Sequence, residues 1–167
     1  MNLIKRYLNR VFIDGLSGMA LGLFATLIVG TIIQQIANLI GGDIGALLFQ
    51  VGKAAAAMTS AGIGVGVAYK FKESPLVVLS AATAGMIGGF AGKILAGTVL
   101  VDGAIVLAGP GEPLGAFIAA YVAIEVGHLV SGRTKIDILV TPIATIASGA
   151  AVGLLVGPPI SRFMEGL

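Results

Sequence analysis

Leu16-Ser-Gly-Met-Ala-Leu-Gly-Leu-Phe-Ala-Thr-Leu-Ile-Val-Gly-Thr-Ile-Ile-Gln-Gln-Ile-Ala-Asn-Leu-Ile40 carries no charge over its whole length. At 1.5 Å per residue this stretch reaches about 37 Å as a helix. The hydrocarbon core of a bilayer is about 30 Å thick and takes about 20 apolar residues to cross. The stretch can therefore span, and it is too long for the apolar region of a signal peptide. The residues before it agree with this reading. Lys5, Arg6 and Arg10 precede it, and Leu3, Ile4, Leu8, Val11 and Phe12 recur at helical spacing. Residues 1–15 thus read as an amphipathic interfacial helix on the inner surface, ahead of a first span over 16–40.

The rest of the chain has the same character. Of 167 residues, 57% are hydrophobic and 11% charged, against about 25% charged in soluble domains. Such a chain is not disordered and does not fit an ordinary soluble domain. The expected fold is all-α: a polytopic integral membrane helical bundle embedded in the lipid bilayer. There is room for four to six helices and none for an extra soluble domain. Cysteine is absent, which excludes disulfides, thiolate metal sites and a cysteine nucleophile. Ten basic against eight acidic residues is too even a balance for a nucleic-acid partner. Neither a cofactor nor a metal site is expected.

Outward from the first span, Gly41-Gly42-Asp43 reads as a turn. A second span covers 44–69, and Lys70-Phe-Lys-Glu73 forms a charged loop. A third span runs over 75–100 and is rich enough in glycine to break or tilt. Val101–Ala108 is too short to cross, and Gly109-Pro-Gly-Glu-Pro113 cannot continue a helix. Residues 101–113 form either a re-entrant hairpin or an external loop, the loop being slightly favoured. A fourth span over 114–131 and a fifth over 136–157 follow. Pro158-Pro159 is expected to stop the fifth, leaving a tail over 158–167. The whole is one membrane domain of about five spans, with its bundle over 16–157. Lys5, Arg6, Arg10, Lys70, Lys72, Arg133 and Lys135 fall on one side, and Asp43, Asp102 and Glu112 on the other. The positive-inside rule then places the N-terminus in the cytoplasm and the chain in the inner, cytoplasmic membrane.

Charges inside spans are costly and usually face a cavity or a partner. Lys53 lies roughly 13 Å and Glu125 roughly 16 Å from the outer ends of their spans, at 1.5 Å per residue. Both are therefore expected near the midplane, as a structural ion pair or as a polar substrate site or proton relay. Glu125 and His128 are three apart and share a helix face. One Glu-x-x-His without partner carboxylates is a weak metal signal. Glu112 contacts a polar substrate if 101–113 re-enters, and is a solvated carboxylate if it does not. The substrate-contact candidates are thus Glu125, His128, Lys53 and Glu112, and no catalytic residue is proposed. Small residues four apart recur at Gly18/Gly22, Gly85/Gly89, Gly88/Gly92 and Gly149/Gly153/Gly157. Packing inside one bundle is the favoured reading of each pair over a seam between copies.

Phe12-Ile-Asp-Gly-Leu-Ser-Gly-Met-Ala-Leu-Gly-Leu-Phe24 resembles the N-terminal signature of the phosphotransferase-system EIIC-like membrane proteins, the group that includes the perfringolysin O regulator. Gly109-Pro-Gly-Glu-Pro-Leu-Gly-Ala116, Glu125-Val-Gly-His-Leu-Val-Ser-Gly-Arg-Thr-Lys-Ile-Asp137 and Gly153-Leu-Leu-Val-Gly-Pro-Pro-Ile160 look like later blocks of the same family, in order. The resemblance implies a sugar-permease-like subunit that moves a sugar or similar polar solute while a cytoplasmic EIIB-like partner carries the phosphoryl chemistry. It equally admits a non-transporting membrane regulator on the same fold, or a structural half of a larger transporter. Family members are longer, so this chain resembles their N-terminal half, and a homodimer is expected to complete the transport path.

Overall fold

The computed structural model describes residues 2–166; Met1 and Leu167, at the ends of the expected interfacial helix and tail, lie outside them. Helix α1 runs over Leu3–Ile40, passing through π-helical turns at Arg10–Gly15 and Phe24–Ile28. Helices α2 (Gly42–Ala57) and α3 (Thr59–Lys70) follow, bent by 50° across Met58. Next come α4 (Pro75–Gly89) and the short α5 (Ala91–Leu95), broken at Phe90. Strands β1 (Leu100–Val101) and β2 (Ala104–Ile105) pair antiparallel. Helices α6 (Pro113–Val130) and α7 (Asp137–Glu165) complete the chain.

Local chemistry sets several of these boundaries. Pro75 and Pro113 sit in the first turns of α4 and α6, where a missing N–H is no loss. Asp102 and Gly103 both have positive φ, 51° and 80°, as a two-residue hairpin turn requires.

Helix packing divides the molecule into a bundle and an arm. In the bundle, the first half of α1 lies on α3, α4 and α6 pack against α3, and α7 packs against α4 and α6. Backbones touch where small residues face each other. A Cβ added at Gly18 or Gly22 would meet the carbonyls of Gly66 and Gly62, and one added at Gly115 would come within 2.7 Å of the Gly88 oxygen. Such approach replaces the hydrophobic drive that lipid removes. The glycine spacings therefore serve internal packing. Ile63 and Val67 of α3, Phe71 just after it, Val77 of α4, and Phe117 and Ile124 of α6 fill the core. The arm is a helical hairpin of Val29–Ile40 and α2, joined where Gly30 meets Gly52. Its outward side chains, among them Ile32, Ile36, Leu39 and Leu47, are exposed.

The helical membrane class stands, with corrections to its boundaries. Three helices, α1, α6 and Asp137–Ile160 of α7, are long and apolar enough to cross a membrane, and the bent α2–α3 pair makes a fourth. Helix α4, the core of the expected third span, has 15 residues, about 22 Å, short of a 30 Å hydrocarbon core. Residues 3–15 do not form a separate helix but continue into α1. The second span is interrupted at Met58. The third breaks at Phe90, as its glycines suggest. Helix α7 is not stopped by Pro158-Pro159 and extends to Glu165. A proline removes one N–H donor, a loss that membrane helices tolerate more readily than soluble ones.

Candidate functional site

Helix α6 presents a carboxylate at each end, and each organises a polar cluster. At its C-terminal end, Glu125 and His128 face the loop after α3 and the start of α1. Residues 2–9 of the chain are exposed, and Arg10, at the head of a π-turn, is the first to be half-buried. Its Nε donates to Glu125 Oε1 at 2.9 Å, and its Nη2 donates to Glu73 Oε2 at 3.4 Å. His128 Nδ1 lies 2.9 Å from Glu73 Oε1. The Glu73 side chain is 3% exposed, against 31% for Arg10, 33% for Glu125 and 65% for His128. Both Glu73 oxygens are engaged, as a buried charge requires. The Arg10 guanidinium also lies 3.8 Å from the centroid of the Phe71 ring, a cation–π contact. Tyr121 packs edge-on against Phe71, and Ser74 Oγ sits 3.0 Å from Ser131 Oγ, tying the two basic-end loops together. The network thus holds α1, the 70–74 loop and α6 in one register. The forked donors of one arginine hold two carboxylates at once, so moving Arg10 releases Glu125 and leaves Glu73 with His128 alone.

At the other end of α6, the Gly109–Pro113 turn packs into the bundle. Ser60 Oγ donates to the Pro110 carbonyl at 2.7 Å, and the Glu112 N–H donates to the Gly89 carbonyl at 2.8 Å. The Glu112 carboxylate caps α6, accepting from Leu114 N–H at 3.2 Å and Gly115 N–H at 2.7 Å. Gly111 has φ +78°, and a Cβ there would meet Ser60 Oγ at 2.6 Å; only glycine fits both demands. Three backbone interruptions meet here: Met58 before α3, Phe90 after α4, and the turn before α6. Ser60 lies ten residues from Lys70, about 15 Å along α3.

The sequence-derived candidates divide accordingly. Glu125 and His128 join one network. Glu112 is at the second cluster, and it is a helix cap rather than a freely solvated carboxylate. Lys53 joins neither. It is exposed on α2, in the arm, while Glu125 pairs with Arg10. Glu125 also lies five residues from the end of α6, about 7.5 Å, on the side of the basic loops. Lys93, on the short α5, is exposed with its Nζ 5.7 Å from the Phe90 ring. Sequence reasoning passed over Arg10 and Glu73. Arg10 counted only toward the inner charge, although Glu73, the sole acidic residue between Asp43 and Asp102, was a visible signal.

No curated protein and no solved structure was found to match the chain. The sequence model of the family described as Phosphotransferase system, EIIC matches residues 13–167. That match takes in the arm, the Glu112 turn and all of the bundle except the start of α1 with Arg10, and the chain belongs to the phosphotransferase-system EIIC family.

Proposed function

We propose that this chain moves a sugar or similar polar solute across the cytoplasmic membrane, with the Glu112 turn contacting the solute and the Arg10 network closing the basic end. Family membership supports a permease-like function in general. The observation that carries the finer reading is the meeting of three backbone interruptions at Met58, Phe90 and Pro110–Glu112. Irregular backbone at membrane depth is tolerated where it is buried in protein or lines a cavity, and interrupted helices build the substrate sites of many transporters. The lengths of α4 and α6 favour a turn lying within the hydrocarbon thickness. The Arg10–Glu73–Glu125–His128 network suits a closure because one side chain holds it together. In this reading the N-terminus is cytoplasmic, and an EIIB-like partner meets the exposed Arg133 and Lys135 on the 131–136 loop. Lys53 has no part in the site.

A thermal-shift screen of the detergent-purified protein against sugars and sugar acids tests the reading. A ligand present at a hundred times its Kd stabilises the folded state by about 2.7 kcal/mol. A sugar-specific rise in Tm that Glu112→Gln abolishes and Glu125→Gln retains is the expected result. Glu125→Gln should instead alter sugar exchange across reconstituted vesicles. If no sugar shifts the wild-type protein, a self-sufficient solute site is ruled out, and a non-transporting regulator on the same fold becomes the better account.

A further inference from the structure

We infer that the cleft along α3 between α1 and α4 is a site for a phospholipid with an anionic headgroup, its acyl chain on the apolar floor and its phosphate on Lys70 and Lys72. Two clefts adjoin there. The first, of about 450 Å³, is walled by Leu21 and Ala25 of α1, Val65 of α3 and Ala82 of α4, with Met58 at the end away from Tyr69 along the chain. The second, of about 540 Å³, is lined by Lys70, Lys72 and Glu73. Tyr69 and Val78 line both, so the apolar floor opens into the basic mouth. Each volume lies within the range of about 300–1,000 Å³ common to ligand sites.

Length, charge and backbone each favour this occupant. From Met58 to Tyr69 is eleven residues, about 16 Å of helix. That is close to half of a hydrocarbon core of about 30 Å, the depth of a single leaflet. Tyr69 is 68% exposed at the junction of floor and mouth, the level at which tyrosines favour the headgroup boundary. The one carboxylate at the mouth does not cancel the lysines. Glu73 is turned to Arg10 and His128, and among the described residues neither Lys70 nor Lys72 has a salt-bridge partner. Lys72 also holds a left-handed backbone, φ +57°, a strained state for a residue with a side chain that tends to mark functional positions. A soluble anion would not need the apolar floor, and a zwitterionic lipid would not need the lysines.

Titration of the delipidated full chain in detergent with dioleoyl phosphatidylglycerol, dioleoyl phosphatidylcholine or inorganic phosphate, read by native mass spectrometry and thermal shift, tests the site. Phosphatidylglycerol should bind in preference to phosphatidylcholine, and phosphate alone should give no shift. Each of Lys70→Gln and Lys72→Gln should weaken phosphatidylglycerol about fivefold, as expected for one basic residue at a membrane surface, and leave phosphatidylcholine unchanged. Val65→Phe should block both lipids. Lys72→Gly should lose the same lipid preference while keeping or raising the lipid-free Tm, because glycine accepts the left-handed backbone. Equal binding of the two lipids, an equal shift from phosphate, or lysine variants that bind like wild type would each overturn the inference. None of these readouts depends on solute transport.

Discussion

In the bundle, Gly18 and Gly22 of α1 meet Gly66 and Gly62 of α3, with α4 and α6 packed against α3 and α7 behind them. In the arm, Gly30 of α1 meets Gly52 of α2 by the same kind of close approach, and among the described residues no further helix backs it. The same helix, α1, supplies one side of both seams. The difference lies in how many neighbours must move when a seam is disturbed. Interiors are close-packed and transmit strain, so an overfilled bundle seam displaces several helices. An overfilled arm can splay.

The comparison can be broken most decisively at Gly66. A side chain there runs into the Gly18 carbonyl, backbone against backbone. Gly66→Leu should cost about 3 kcal/mol or more and leave little folded protein by size-exclusion and thermal unfolding in detergent. A Tm close to wild type would show that the bundle seam is as compliant as the arm. Next in size is Arg10→Ala, which leaves the buried Glu73 carboxylate with only its His128 contact. Breaking a buried pair costs about 3–5 kcal/mol, and the partial exposure of Arg10 lowers the expectation to about 2 kcal/mol. Adding Glu73→Gln should restore much of that loss, and the double-mutant cycle measures it. If Glu73→Gln adds its own loss in full, the two residues are not coupled.

Smaller effects are expected in the arm. At Gly52, a Cβ would approach the Gly30 oxygen to 2.7 Å. Gly52→Ala should cost about 1 kcal/mol, the low end for overpacking, because α2 has room to move. A loss as large as that of Gly66→Leu would mean that the arm is held as rigidly as the bundle. The smallest change belongs to Lys53. Exposed and unpaired among the described residues, it should tolerate Lys53→Ala within about 0.5 kcal/mol, with sugar-dependent thermal shifts unchanged.

Much of the fold could be read locally. The charge-free run over 16–40, the glycines of the third span and the prolines at 75 and 113 each act through their immediate neighbours, and α1, the Phe90 break and the starts of α4 and α6 follow from them. The break at Met58 could not be read that way. Thr59, Ser60 and the alanines before them are ordinary helix residues in a membrane, and Ser60 packs where Gly85 and Gly89 of α4 leave no room for a side chain of their own. The persistence of α7 beyond Pro158-Pro159 was likewise hidden, since proline reads as a stop in isolation. In the candidate site, the Glu125–His128 face followed from helical spacing. Its partners did not, because Arg10 lies 115 residues from Glu125 and 63 from Glu73.

The sequence by itself determined the helical membrane class, the separation of basic and acidic ends, and which helix faces are smooth enough for close contact. These follow from hydropathy, charge and periodicity, which are properties of neighbouring residues. The tertiary structure decided that Glu125 pairs with Arg10 and not Lys53, that the Gly109–Pro113 turn enters the bundle to reach Ser60 and Gly89, and that α2 leaves the bundle as an arm. Those outcomes depend on which helices become neighbours, and side-chain partners far apart in the chain are chosen only when packing brings their backbones together.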